Sequence, residues 1–214
     1  MDTIDAARAG PILRDLIAAI VANAPYLGEL DGAIGDGDHG INMSKGFRLA
    51  GERLGSPEPD LAIGFERLSD TLLGDIGGSM GPLYGTFFGE MAERLKENPR
   101  IDKATFAAML HAGVDAVRDL GGAKPGDKTL LDVLVPATEA FDDAAARGAD
   151  FSGCLDAMAR AAQEGLESTR AMVARIGRAA RLGERSRGTL DAGAASCQLI
   201  LVTLADGLKA RLAG

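Results

Sequence analysis

Tryptophan is absent from this 214-residue sequence, and aromatic residues make up only 4% of it. A β-sandwich core draws on aromatic and β-branched residues. A chain dominated by Ala, Leu and Gly argues instead for helices packed through small side chains. Cysteine is scarce too: Cys154 and Cys197 are the two present, each inside a helical pattern. No CxxC pair and no Cys/His spacing suits zinc, so two reduced core cysteines are expected. Positive charge is in deficit, with 23 Lys and Arg against 31 Asp and Glu and a net charge of −8. Such a chain repels nucleic acid and anionic membrane, and neither is expected as a partner. Long apolar runs are missing, and the opening MDTIDAARAG lacks the basic and apolar regions of a signal peptide. The expectation is a cytoplasmic protein. With 46% hydrophobic and 25% charged residues, residues 1–214 suffice for one globular domain.

What is present is helical periodicity, broken where Gly and Pro cluster, with no convincing strand pattern. Eight helices are predicted. The first carries Ile12, Leu13, Leu16, Ile17, Ile20 and Val21 on one face and closes at Pro25. The second runs from about His39 to Leu54, and the third starts after Asp60 as N-cap. The fourth begins near Gly81-Pro82; the fifth follows Asp102 and ends at Gly121-Gly122. The sixth opens at Thr129, with Asp132 three residues on as an acidic form of the capping box. The seventh runs from about Ser152 to Ala174, and the eighth from Asp191 to near the end.

The connections differ in kind. Those at 55–59, 98–101 and 148–151 are short and plain. Those at 25–38, 75–80, 121–128 and 175–190 are rich in Gly, Asp, Lys and Arg. In an all-α, antiparallel, up-and-down bundle alternate connections emerge at the same end. The four rich ones join helices 1–2, 3–4, 5–6 and 7–8, so one composite site at one mouth is expected.

The first rich loop holds Asp31, Asp36 and Asp38. Three carboxylates so close repel unless a cation intervenes, and oxygen ligands suit a hard cation, Mg²⁺ or Ca²⁺. An EF-hand is excluded, because counting from Asp36 places Phe47 where a bidentate Glu belongs. Mg²⁺ on few carboxylates completes its shell with water and phosphates, which points to a nucleotide. The plainer alternative is an acidic loop capping the second helix. His39 reads equally as a solvated first-turn residue or as a ligand contact, and Asn42 lies one turn on. In the second loop, Ile76-Gly77-Gly78-Ser79-Met80-Gly81-Pro82 offers backbone N–H groups at a helix start, or is only a turn. It is neither a Walker A nor a dinucleotide fingerprint. The third, Gly121 to Thr129, reads as a helix cap followed by a Pro/Gly turn, which leaves its Gly-Asp-Lys-Thr unexplained. The fourth packs Arg175, Arg178, Arg181, Arg185 and Arg187 into thirteen residues. Arginine suits phosphate, although some of the five are equally expected to pair with acids.

Taken in order, Asp31 to Met43, Gly77-Gly78 with Gly81 to Thr86, Pro125 to Thr129 and Leu182 to Ser186 resemble the L subunit of bacterial dihydroxyacetone kinases. The resemblance covers essentially the whole chain. It implies an all-helical barrel of eight antiparallel helices with the nucleotide site at one end. It implies two Mg²⁺ ions on Asp31, Asp36 and Asp38. It further implies ADP or ATP surrounded by His39, Gly40, Ile41, Asn42, Ser79, Met80, Gly121, Leu130, Arg178 and the turn Asp191, Ala192, Gly193. No side chain of this subunit acts as nucleophile in that family; Arg178 and the metal ions stabilise the phosphates. The implied partners are a ketose-binding K subunit and, in one version, a phosphohistidine subunit of the phosphotransferase system that recharges bound ADP. Two departures stand out. Relatives read Gly-Gly-Ala-Ser or Gly-Gly-Thr-Ser where this chain has Gly78-Ser79-Met80, and they often have Pro at Ala192. A hydroxyl has moved by one position, and a kinase for a related ketose or ketotetrose stays open.

Overall fold

A computed structural model of the chain describes residues 3–213. The helices are α1 (Ala6–Ala9), α2 (Ile12–Ala22), α3 (Ala24–Ile34), α4 (His39–Arg53), α5 (Leu61–Asp75), α6 (Met80–Glu97), α7 (Lys103–Gly121), α8 (Leu131–Ala146), α9 (Phe151–Ser168) and α10 (Ala192–Leu212). Aspartates start several of them. The side chains of Asp60, Asp102, Asp150 and Asp191 accept from the N–H of Ile63, Thr105, Gly153 and Ala194 at 2.7–2.8 Å, satisfying N–H groups that the helix cannot. Half of the capping box expected before α8 is present: Asp132 accepts from Thr129 N at 2.7 Å, while the Thr129 hydroxyl accepts from Leu131 N at 3.2 Å. Gly122, with φ 62, ends α7.

Each long helix packs on the next: α2 on α4, α4 on α5, then in sequence through α6, α7, α8 and α9 to α10, which closes the ring on α2. The result is the all-α, eight-helix antiparallel barrel expected from the sequence. The few aromatics go inside. All 7 phenylalanines are at most 2% exposed, in one group around Phe88 and another of Phe106, Phe141 and Phe151. Cys154 and Cys197 are buried thiols. Among the described residues no helix is long and apolar enough to cross a membrane.

Three expectations need correction. The loop predicted at 25–38 is largely the helix α3. Pro25 does not close the first helix; it sits at the start of the next, where a missing N–H costs nothing. The seventh helix ends at Ser168 rather than Ala174, passing into a 3₁₀ turn, Thr169–Ala171. A strand pair also exists, β1 (Ile4–Asp5) antiparallel to β2 (Arg100–Ile101), with Ile4 opposite Ile101. Two residues are too few for an alternation to show in sequence.

Candidate functional site

The four rich connections meet at one end of the barrel and line a cavity of about 640 Å³. That is within the usual range for small-molecule sites.

The acidic wall is built where α3 ends. Asp31 lies in its last turn, and Gly37, with φ 78, turns the chain between Asp36 and Asp38. That left-handed conformation is open to glycine without strain. A Cβ added at Gly35 would lie 2.3 Å from Asp31 Oδ1, so the missing side chain makes the space that the carboxylate fills. Oxygens of the three carboxylates lie within 4.8 Å of one another. Two ligands trans on one Mg²⁺ stand about 4.2 Å apart. A cluster of this span suits one such ion after slight contraction, or two. The guanidinium of Arg178 pairs with Asp36 and lies 3.7 Å from Asp38, a cation drawn to the place where negative charge accumulates. The all-oxygen donor set, the cradle at Gly35 and this stand-in cation fit a hard divalent metal.

Around it stand Asn42, Ser79, Met80, Gly121, Leu130, Ala192 and Gly193, all on the cavity wall. Met80 is 6% exposed, with its side chain in the core, so any anion contact there is made by backbone. Helix α6 begins at the cavity without a side-chain cap, leaving first-turn N–H groups available to an anion, whereas at α4 the His39 N–H donates to Asp31 Oδ2 at 3.3 Å. Two expected residues are not on the wall. Gly40 packs against α3, where a Cβ would come 2.0 Å from Ala24 O. Ile41 is 67% exposed and faces outward.

His39 is on the wall, and its ring is held from behind. Nε2 is 2.9 Å from Ser196 Oγ, which is 2.7 Å from the buried Tyr84 hydroxyl; both hydroxyls are 3.0 Å from Gly193 O. With a proton on Nε2, three of these four contacts are hydrogen-bonded; with Nε2 bare, only two are. The network therefore favours the Nε2–H tautomer and leaves Nδ1 as an acceptor. Burial holds the imidazole below its ordinary pKa, against the pull of Asp31, so the ring is neutral at pH 7. Ser196→Ala is expected to cost about 1–2 kcal/mol in a urea melt. It should also move the ring nitrogen resonances of His39 and leave those of His111, the other of the 2 histidines, in place. Unmoved His39 nitrogens would rule the network out. Tyr84 falls inside the Gly81–Thr86 motif, which was its signal; nothing in the sequence pointed to Ser196.

Asp191 lines the cavity and caps α10. Burial pushes its carboxyl up from 3.8 to about 6, opposed by the Ala194 N–H and Lys128 and aided by Asp132 and Asp31. A raised folded-state value gives stabilisation that is complete below about pH 4 and lost as pH rises through about 6. Asp191→Asn keeps a capping oxygen. Urea melts at pH 4.5 and 7 should show the wild type losing about 2 kcal/mol over that interval, after allowance for solvent screening, and the variant losing little of it.

An all-helical barrel with an acidic and basic mouth defines a class, and the chain belongs to the DAK2 domain family, whose model matches residues 33–206. Within that family it is a kinase of the dihydroxyacetone kinase type. It is 38% identical over 212 residues to the ADP-binding subunit DhaL of PEP-dependent dihydroxyacetone kinase 2 of Listeria innocua, covering 96% of each chain. It is 37% identical over 196 residues to the D-erythrulose kinase of Mycolicibacterium smegmatis, covering 90% of this chain and 34% of that protein. The crystal structure of the dihydroxyacetone kinase from C. freundii in complex with AMP-PNP and Mg²⁺ superposes with a TM-score of 0.70 at 26% identity. That match covers 92% of this chain and 33% of the other.

Proposed function

We propose that this chain is the nucleotide-holding subunit of a ketose kinase, passing a phosphoryl group from nucleotide at its mouth to a ketose held on a separate K subunit. The observation that carries this is the Asp31, Asp36 and Asp38 cluster facing Arg178 inside one cavity built by all four rich loops. Mg²⁺ bound there, as one ion or two, would anchor and screen the diphosphate of ADP or ATP. Arg178 brings a fork of donors to the transferring group. His39, Asn42, Ser79 and the Asp191–Gly193 turn surround the rest, and Met80 and Leu130 give it an apolar bed. The chain supplies position and charge, with no covalent intermediate on the protein.

Partnership is supported by the surface. Val21, Tyr26, Ile41, Leu73, Leu120 and Ile176 are large apolar side chains left exposed on the mouth half, and only Ile63 is so exposed at the closed end among the described residues. An apolar rim around a reaction mouth fits a protein that docks over it. Dihydroxyacetone is the acceptor named for the Listeria relative and erythrulose for the Mycolicibacterium one, at nearly equal identity, so a ketotriose or ketotetrose is the substrate class. The phosphoryl donor is ATP, or a phosphohistidine subunit of the phosphotransferase system that recharges ADP in place. The cytoplasm, where both donors occur, is the compartment we assign.

Native mass spectrometry is the direct test. ADP retained together with two Mg²⁺ supports the recharged, cofactor-like mode, and loss of nucleotide on desalting supports exchange with ATP. No binding of either nucleotide at millimolar Mg²⁺ would end the proposal. Transfer to ketose is expected only when a K subunit is added.

A further inference from the structure

The Gly126-Asp127-Lys128-Thr129 segment contributes wall to the cavity, but its lysine is turned elsewhere. Lys128 is 1% exposed and is the one non-glycine residue with positive φ, 63°, among the described residues. Its ammonium donates to Ser186 O at 2.6 Å and Thr189 O at 2.7 Å, with Met172 O at 3.4 Å. Met172 lies on the outgoing limb of the arginine loop, and Ser186 and Thr189 lie on its return. One cation thus bridges both limbs. The surrounding bonds tie the same base: Arg175 N to Asp127 O at 3.1 Å, Gly188 N to Arg170 O at 2.8 Å, and Ala174 N to Ser186 Oγ at 2.9 Å. Beyond the tie the loop carries Arg178 out to Asp36 and Asp38.

This arrangement is costly for a mere turn. Three carbonyls satisfy the ammonium protons but cancel none of its charge, and burial presses its pKa down, partly offset by the charge of Asp191. A left-handed lysine adds backbone strain. Glycine at 128 would relieve both costs, so the lysine is doing something that glycine would not.

We infer that Lys128 is a positioning residue: it clamps the two limbs of the 172–189 loop, so that Arg178 is preset over the mouth. The clamp stands on geometry alone. Its consequence for nucleotide rests on the function proposed above, and the two are tested separately. The loop offers trypsin Arg175, Arg178, Arg181, Arg185 and Arg187. In Lys128→Met, cleavage confined to this loop should speed up about ten-fold over the wild type, because opening of the tied base exposes it. Titration with Mg–ADP should show affinity weakened about five-fold. In an Arg178→Ala background the same lysine substitution should change affinity less than two-fold, since a residue acting through another has nothing left to act on. If Lys128→Met does not fold, Lys128→Gly, which removes the ammonium and relieves the backbone strain, carries both measurements with the same expected pattern. Unchanged nicking of the loop overturns the clamp. An affinity loss of equal size with and without Arg178 overturns the positioning role. Faster nicking in a protein that binds no Mg–ADP even as wild type upholds the clamp and sinks the nucleotide reading instead.

Discussion

Asp36→Ala and Asp38→Ala are each expected to lower phosphoryl transfer by at least about 10³-fold while the barrel stays folded. The three carboxylates converge within 4.8 Å on segments that carry little of the core; Asp36 and Asp38 flank a glycine turn and pack against nothing buried. Removing one leaves the apolar interior intact and ends its repulsion with the remaining two, against the loss of a solvent-screened contact with Arg178 that contributes little. Thermal melts without added metal should therefore show the variants no less stable than the wild type. With Mg²⁺ and ADP the wild type gains stability by mass action, and the variants should gain almost none. A variant with normal transfer, or with a wild-type rise in Tm on adding Mg–ADP, would remove the metal cluster from the mechanism.

Arg178→Ala should cost about 10²–10³-fold in turnover and only about five- to ten-fold in nucleotide affinity. The difference follows from where the guanidinium acts. Its pairing with Asp36 and its 3.7 Å approach to Asp38 place it beside the aspartate cluster. On the function proposed above, it would follow charge as it shifts between phosphoryl oxygens, whereas the ground-state diphosphate would already be held by the metal and backbone N–H groups. Arg178→Lys should recover less than ten-fold of the turnover, because a point charge does not replace a planar fork of donors. Single-turnover transfer and calorimetric titration on the same variants separate the two quantities. Equal losses in both would make Arg178 a simple binding residue.

The barrel was legible because helices such as α2 and α5 carry clear apolar faces, Asp60 and Asp102 mark helix starts and Gly122 a helix end, and loop chemistry alternates along the chain. Helix α3 was not. Its Pro25, Gly28 and Gly32 read as a loop, yet Pro25 falls in the first turn, where it is tolerated, and α4 comes so close that a Cβ at Gly40 would lie 2.7 Å from Gly28 N. That packing of α4 on α3 is tertiary, which local propensity does not register. The aspartate trio was legible because its members are near neighbours in sequence. The hydroxyl relay was not: Tyr84 and Ser196 are 112 residues apart. Lys128 and its carbonyls are separated by 44 to 61 residues, so only the fold reveals that partnership. Gly40 and Ile41 are ligand contacts only by the family resemblance; helical rotation turns one into the packing with α3 and the other to solvent.

The strand pair and the junction of Arg211 with Arg8 O sit at the closed end, where α10 finishes beside α1. Anything joined to the barrel from that side leaves the catalytic opening unobstructed. The same architecture can therefore be built as a separate subunit, as in the Listeria relative, or as about a third of a longer polypeptide, as in the C. freundii kinase, without redesign of the site. Immobilisation or labelling through that end is the natural way to present the working face to a partner.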